Sequence, residues 1–337
     1  MAGKPLKDTL GRIFSDLRLS VTDRCNFRCP YCMPGDVFSP DYTFLPHQDF
    51  LTFEELHRLA LLFHQAGCRK VRLTGGEPLL RPHLADFIAS IRKLSDIDIA
   101  ITTNGSLLAQ HANTLREAGL NRVTVSLDAL DEEIFSELSG GYSSAAQVLE
   151  GIAAAENAGL LPIKINMVIK RGSNENQILP MAEAFRKPGY ILRFIEYMDV
   201  GATNNWKAAE VVPAAEILRT LKQAYDLEPL DPNYQGEVAR RYRYRQGSGE
   251  IGIIASITQP FCQDCSRARI SVDGKLFTCL FAEDGVDLRE ALRNGAANEQ
   301  IYELIRNTWS VRVDRYSELR SEKAAGRRRV EMSYIGG

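Results

Sequence analysis

Apolar positions in the first two-thirds of the chain recur in six short runs: DLRLSVT (16–22), KVRLTGG (70–76), DIAITTNG (98–105), RVTVSLDA (122–129), PIKINMVIK (162–170) and YILRFIEYM (190–198). Each run is strand-length, and most of the segments between them follow the helical period. The clearest helix opens at Thr52, where Glu55 completes a capping box ahead of an apolar stripe that reaches Phe63. Further helices are predicted over 82–94, 106–118, 144–158 and 175–186. Strands alternating with helices in this way build parallel βα units. Six units fall short of the eight that close a full barrel. The expected fold is therefore α/β: an incomplete, open six-stranded βα barrel over residues 1–230, with its functional loops at the carboxyl ends of the strands.

Polar residues interrupt these strands at period two, as Arg72 and Thr74, Ser126 and Asp128, and Lys164 and Asn166. Side chains two apart share one face of a strand. An interior built only for packing would favour Val, Ile and Leu there, so the pattern predicts a polar cavity. Outer-face hydrogen bonds to helices are the plainer alternative.

After Pro229 the pattern changes. EIGIIASIT (250–258), ARISV (268–272) and KLFTCLF (275–281) read as antiparallel strands, with Asp273-Gly274 as the turn of a two-residue hairpin. Helices near 287–294 and 297–307 follow. This region, 231–337, is expected to form a C-terminal antiparallel-sheet extension and second domain. The arginines of RRYRYR (240–245) resemble a nucleic-acid strip, but an edge strand with a solvated charged face is the better reading.

Composition adds exclusions. With 45% apolar residues, 25% charged and a net charge of −2, the chain has no field for broad binding to nucleic acid or membrane. Any anion site must be a local cluster of Arg and Lys. No apolar run approaches the ~20 residues that span a bilayer. The start of the chain carries Asp8 and Asp16 without a long apolar core, so neither a secretory signal nor a transit peptide is expected and the protein reads as cytoplasmic.

The seven cysteines fall into two triplets and one outlier, Cys68, read as a packing residue. His57 and His64 fall on a predicted helix and are expected to be exposed or satisfied. The first triplet, Cys25, Cys29 and Cys32, is spaced C-x3-C-x2-C after the first strand. Thiolates suit zinc or iron–sulfur clusters. A structural zinc would need a fourth ligand, and the nearest downstream histidine, His47, lies far along the chain. A [4Fe–4S] cluster on three cysteines instead leaves one iron open to a small molecule. The second triplet, Cys262, Cys265 and Cys279, also lacks a fourth member, with a zinc knuckle as the alternative. If Cys265–Arg269 is extended, Cys265, Arg267 and Arg269 face one way, and arginine forks match phosphate or carboxylate.

The first triplet, with Tyr31 before its last cysteine and Gly75-Gly76-Glu77-Pro78 after the second strand, resembles the signature of the radical S-adenosylmethionine (SAM) superfamily. From about Leu17 to the end, the order of RLSVTDRCNFRCPYCMP, VRLTGGEPLLR, TTNG, VSLDA, IKINMV, RFIEYMDVG, FCQDCSRARI and a terminal Gly-Gly is similar to the GTP 3′,8-cyclase family of molybdenum cofactor biosynthesis. That resemblance implies two [4Fe–4S] clusters, one on Cys25, Cys29 and Cys32 and one on Cys262, Cys265 and Cys279. The first would bind SAM and, once reduced, release a 5′-deoxyadenosyl radical that abstracts H3′ from GTP. C3′ then bonds to C8 of guanine, and reduction gives 3′,8-cyclo-7,8-dihydro-GTP. The second would bind the base of GTP. It further implies SAM contacts from Tyr31, Gly76, Ser126 and Met198, and GTP contacts from Arg18, Arg72, Thr103, Lys164, Arg267 and Arg269, with Arg18 and Arg72 expected at strand ends. The tail glycines Gly336 and Gly337 would reach the same site. Implied partners are an electron donor and the cyclic pyranopterin monophosphate synthase that takes the product, and a homodimer is one assembly left open. Where family members often carry Thr between the two arginines, this chain has Ala268. Arg327, Arg328 and Arg329 are either a solvated end or guards of an anionic pocket. Two rivals remain: a radical enzyme acting on a peptide or another nucleoside, and a zinc-stabilised binding module.

Overall fold

A computed structural model describes residues 5–94, 96–320 and 329–336. Ser95, Arg327, Arg328 and Gly337 lie outside the described residues, and with them the expectations attached to the two arginines and the last glycine.

All six expected strands form: β1 Asp16–Ser20, β2 Lys70–Thr74, β3 Asp98–Thr103, β4 Arg122–Ser126, β5 Ile163–Ile169 and β6 Tyr190–Glu196. They lie side by side in chain order, each parallel to the next. Each ends short of its apolar run, because the carboxyl-end residues turn into loops. The six remaining strands among the described residues are β7 Leu227–Leu230, β8 Arg240–Tyr244, β9 Glu250–Ile254, β10 Arg267–Ile270, β11 Lys275–Phe277 and β12 Val286–Asp287. The expected α/β class holds, with antiparallel strands in the C-terminal part, but these strands do not form a sheet of their own. β10 runs parallel to β1 on one side and β9 parallel to β6 on the other, so one sheet has the order β12-β11-β10-β1-β2-β3-β4-β5-β6-β9-β8-β7.

Two sequence expectations are corrected here. The 240–245 stretch is not an edge: β8 sits between β9 and β7. Its arginines meet carboxylates on both neighbours, Arg241 with Glu250 and Arg243 with Glu228, so the charges tolerate an interior place. The edge belongs to β7, where Pro229, which has no N–H to donate, is admissible. The hairpin between β10 and β11 also has three loop residues rather than two. Ile270 pairs with Leu276, Ser271 N–H bonds the Lys275 carbonyl, and Gly274 takes φ 90° at the position where a three-residue turn needs it.

The helices cover the outside. In α1, Phe53–Gln65, the capping box forms as expected: Thr52 Oγ1 accepts from Glu55 N–H at 3.2 Å and Glu55 Oε2 accepts from Thr52 N–H at 2.8 Å. Its stripe of Leu56, Leu59, Leu62 and Phe63 is buried. The helices α2 Leu84–Arg92, α3 Leu108–Glu117, α5 Ala145–Asn157 and α6 Ile178–Ala184 fall inside the expected spans. Two were not read from the pattern, α4 Glu132–Ser139 and α7 Ala214–Ala224; each buries only three residues. The C-terminal part adds α8 Arg289–Arg293 and α9 Asn298–Ser310, then α10 Met332–Ile335 in the tail. Cys68 is buried, and buried His64 is satisfied by the Cys68 carbonyl at 3.2 Å.

One buried carboxylate fastens the end of β6 where the site begins. Glu196 accepts from Ala214 N–H at 2.7 Å, Ile257 N–H at 2.7 Å and Thr258 N–H at 2.9 Å. It thereby joins β6, the start of α7 and the loop after β9. Among the described residues, no helix is long and apolar enough to cross a membrane.

Candidate active site

The loops after β1 and β2 are locked together by their backbones. Gly76 N–H bonds the Thr22 carbonyl and Glu77 N–H the Arg24 carbonyl, both at 2.8 Å. A side chain on Gly76 would stand 2.2 Å from the Arg24 carbonyl oxygen, so only glycine lets this segment lie against the first cysteine loop. Buried Glu77 completes the joint, accepting from Thr103 Oγ1 at 2.8 Å and Asn104 N–H at 2.7 Å. Burial pushes Glu77 up to about 7 despite these donors. Asn104 Nδ2 also reaches Cys25 Sγ at 3.8 Å, and Phe27 N–H reaches it at 3.4 Å. Tyr31 donates to Asp128 at 2.5 Å, tying the cysteine loop to the end of β4.

The second triplet faces the first across a cavity of about 320 Å³. All six cysteines line it, together with Tyr31, Gly76, Ser126 and Met198. Arg18, Arg72, Thr103, Arg267 and Arg269 line it too. The period-two polar face thus points inward at Arg72, Thr74, Ser126, Asp128 and Asn166. The extended reading of 265–269 also holds: Cys265, Arg267 and Arg269 face the cavity while Ala268 is buried on the other side. Arg267 Nη2 lies 3.4 Å from Cys265 Sγ. Burial would raise the Cys265 thiol, but Arg267 and Arg312 outweigh it and hold it at about 6. At Cys25, burial and then Glu77 outweigh the pull of Arg28 and push the thiol up to about 11. Gly336 belongs to the site as well, since its carbonyl accepts from Arg269 Nη1.

Three placements differ from the sequence reading. Arg18 and Arg72 do not sit at strand ends but in the middle of β1 and β2, inside the barrel. Arg72 donates to Thr102 Oγ1 at 2.9 Å and Thr124 Oγ1 at 3.0 Å. Lys164 lies deeper still, lining a second cavity of about 830 Å³ at the amino ends of the strands with Asp16, Lys70 and Arg122. Two cations of this interior, Lys70 and Arg193, were missed. The same period-two rule would have found them, because Lys70 precedes Arg72 by two and Arg193 sits on β6 beside Asn166 of β5.

This interior holds more positive charge than it can balance. Burial depresses Arg18 well below the usual range, and Arg269, Arg267 and Arg72 push it further. Burial brings Lys164 down to about 6, with Arg193, Arg122, Lys70 and Arg72 adding to it. Arg18 Nε, Arg193 Nε and Asn166 Oδ1 are buried without a hydrogen-bond partner. Buried polar atoms are otherwise almost always paired, so these orphans fit a polar, anionic ligand. The donor sets fit iron–sulfur clusters, with three soft thiols on each wall. Among the described residues, no three His, Cys, Asp or Glu side chains are grouped to hold a single metal ion.

Comparison with known proteins places this geometry in a class. Residues 19–185 match the model of the radical SAM superfamily, and 190–318 match Molybdenum Cofactor Synthesis C. A protein titled SuiB from Streptococcus suis shares the fold, with a TM-score of 0.60 over 95% of this chain and 78% of that one at 16% identity. Along its whole length the chain is 52% identical to a GTP 3′,8-cyclase of Acidothermus cellulolyticus, covering 99% of each. It is 50% identical to that of Xanthomonas axonopodis pv. citri, again 99% of each, and 44% to that of Staphylococcus saprophyticus, 98% of this chain and 99% of the relative. The chain belongs to the GTP 3′,8-cyclase family within the radical SAM superfamily.

Proposed function

We propose that the cavity is the reaction chamber of a GTP 3′,8-cyclase of molybdenum cofactor biosynthesis, with a [4Fe–4S] cluster and SAM on the wall of Cys25, Cys29 and Cys32. On this reading Cys262, Cys265 and Cys279 would hold a second [4Fe–4S] cluster, which would supply a docking point for the guanine. The observation that carries it is that both triplets line one cavity with Arg18 and Arg193, each of which has a buried Nε without a hydrogen-bond partner. When bound, the first cluster supplies the electron that splits SAM into methionine and the radical that removes H3′ from GTP.

The chain's own residues then have distinct tasks. Tyr31, Gly76, Ser126 and Met198 line the SAM end. Arg267 and Arg269 lie between the second triplet and the barrel, where they bind phosphate oxygens bidentately. Arg18, Arg72 and Lys164 extend that positive track inward, joined by Lys70 and Arg193, while Thr103 holds Glu77 at the rim. Together they fix the sugar with C3′ toward the SAM end and shut out water, which positions the reactants before the barrier is crossed. C3′ bonds to C8, and one electron and one proton complete the dihydro product. An external donor supplies electrons, and the product passes to the cyclic pyranopterin monophosphate synthase.

Anaerobically reconstituted protein tests this. It should be brown, carry about eight irons per chain as two cubanes, and release 5′-deoxyadenosine from SAM only when GTP is present. SAM cleavage indifferent to GTP would overturn the substrate.

Lys164 supplies a pH signature. Its folded pKa of about 6 leaves it mainly neutral at pH 7.5, and a triphosphate beside it favours the charged form. Binding should therefore take up about one proton. Affinity should rise as pH falls from about 8.5 towards 6, by at most ~10-fold per unit. Calorimetry in buffers of different ionisation enthalpy measures this, and Lys164→Met should remove the uptake. No uptake in the wild type places Lys164 outside the triphosphate's reach.

A further inference from the structure

Beside the second triplet, at the edge of the cavity, lies a largely buried ionic group that the proposed mechanism does not use. Asp8, Arg12 and Arg312 have side chains 0%, 2% and 1% exposed. Arg12 Nε bonds Asp8 Oδ2 at 2.5 Å, and Arg312 Nη1 stands 3.6 Å from the same oxygen. Arg312 Nε reaches Asp314 Oδ2 at 3.3 Å, and its guanidinium lies 4.5 Å from the ring centre of Trp309. Two carboxylates and two guanidiniums balance, with Asp314 31% exposed, but burying the other three charges for stability alone is poor economy, since apolar packing does as well or better.

The group's outward bonds show another use. Arg12 Nη1 donates to the carbonyl of Cys262 at 2.9 Å. Arg312 Nη1 donates to the carbonyl of Cys265 at 2.6 Å. Thr278, the residue before Cys279, donates to Asp314 Oδ2 at 2.5 Å. Each cysteine of the triplet is thus fixed to the group directly or through its neighbour. A short helical turn, Cys262–Asp264, sets Cys265 against Cys262 through the bond from Cys265 N–H to the Cys262 carbonyl at 3.3 Å, but no regular element sets the place of Cys279, on the loop after β11, relative to them.

We infer that the Asp8–Arg12–Arg312–Asp314 group is the outer-shell mount of the second cluster, which presets the separation of its three thiols and places positive charge behind them. The inference rests on the reading that this triplet holds a cluster. Outer-shell partners orient metal ligands and tune the metal, and their loss costs ~10–100-fold in metal affinity. A buried cation also favours the more negative, reduced form of a cluster, so its removal lowers the reduction potential. Arg12 and Arg312 are positioning residues, acting through the carbonyls of Cys262 and Cys265.

The test uses the full chain, reconstituted anaerobically with iron and sulfide, as wild type, Arg312→Gln, Arg312→Lys and Thr278→Val. Iron and sulfide are counted, and each cluster is titrated potentiometrically by electron paramagnetic resonance. Arg312→Gln should fall from about eight irons towards about four, or, where the second cluster loads, titrate at a lower potential while the first cluster is unchanged. Arg312→Lys should recover the potential but not the full occupancy, because an ammonium keeps the charge without the guanidinium fork. If Arg312→Gln does not fold, Thr278→Val, which cuts one hydroxyl tie, should still lower second-cluster occupancy. Wild-type iron content and wild-type potential in the variants that fold overturn the mount. A wild type with only about four irons, unaltered by Cys262→Ala, overturns instead the cluster reading on which it rests.

Discussion

Alanine at Cys29 should reduce SAM cleavage to background, whereas alanine at Cys279 should leave SAM binding intact and cripple GTP turnover. Both thiols line the same cavity but belong to opposite walls. Cys29 is embedded with Cys25 and Cys32 in the loop fastened to β2 and β4, and burial raises its pKa well above that of a free thiol, with Cys32 and Cys25 adding to the shift. A thiol held neutral by its surroundings becomes a ligand only when metal displaces its proton. Removing it leaves two ligands for a cluster that needs three, and losing a ligand costs more than the ~100-fold at which outer-shell losses stop. Cys279 is held differently: Phe281 N–H approaches its sulfur at 3.4 Å, and its loop hangs from Asp314 through Thr278. Its loss reaches GTP placement without touching the SAM wall. The measurements are 5′-deoxyadenosine and cyclised nucleotide formed per chain, with SAM affinity measured separately. Equal SAM cleavage by wild type and Cys29→Ala would reverse the two roles.

Gly336→Ala is the second large effect. The residue has φ 76°, and an added Cβ would lie 2.2 Å from Thr74 Cγ2. Thr74 is buried in β2 and too short to swing aside. The tail is also pinned just ahead of the clash. Glu331 accepts from Ala202 N–H at 2.9 Å and Thr203 Oγ1 at 3.1 Å, and Tyr334 donates to Asp273 at 2.5 Å. Overpacking of this kind costs about 1–3 kcal/mol, or ~5- to 150-fold in the docked population of the tail. Arg269 would lose its carbonyl partner in the displaced form. Turnover should fall by that range while iron content and SAM binding stay at wild-type values. Undiminished turnover would remove the tail from the site.

The parts of the molecule that were legible are those in which local chemistry and global position coincide. The six barrel strands announced themselves because a parallel strand is apolar along its length, and the cavity because Arg72, Thr74, Ser126, Asp128 and Asn166 broke that rule on one face. The cysteine triplets, Arg267 and Arg269 were readable from spacing alone. What stayed hidden depends on tertiary partners. Nothing in ARISV says that β10 will pair with β1, and nothing in RRYRYR reveals that Glu228 and Glu250 flank it. Pro229 looked like a boundary and is an edge-strand residue. Lys70 and Arg193 were within reach of the period-two rule, but the orphaned Nε of Arg193 becomes visible only once β6 stands beside β5. Arg12, far upstream of the second triplet, carries no local mark of its bond to Cys262.

The pairing of β1 with β10 also orders events during synthesis. Asp16 pairs with Arg267, so one flank of β1 has no partner until about 250 more residues have been made. At ~5–20 residues per second that interval is roughly 10–50 s, during which β1 presents a bare edge, the usual template for faulty association. The loop bearing Cys25, Cys29 and Cys32 follows that strand and can dock on β2 and β4 long before the second triplet emerges from the ribosome. The two sets of thiols are therefore completed in sequence, and the opposite wall closes over a first wall already built.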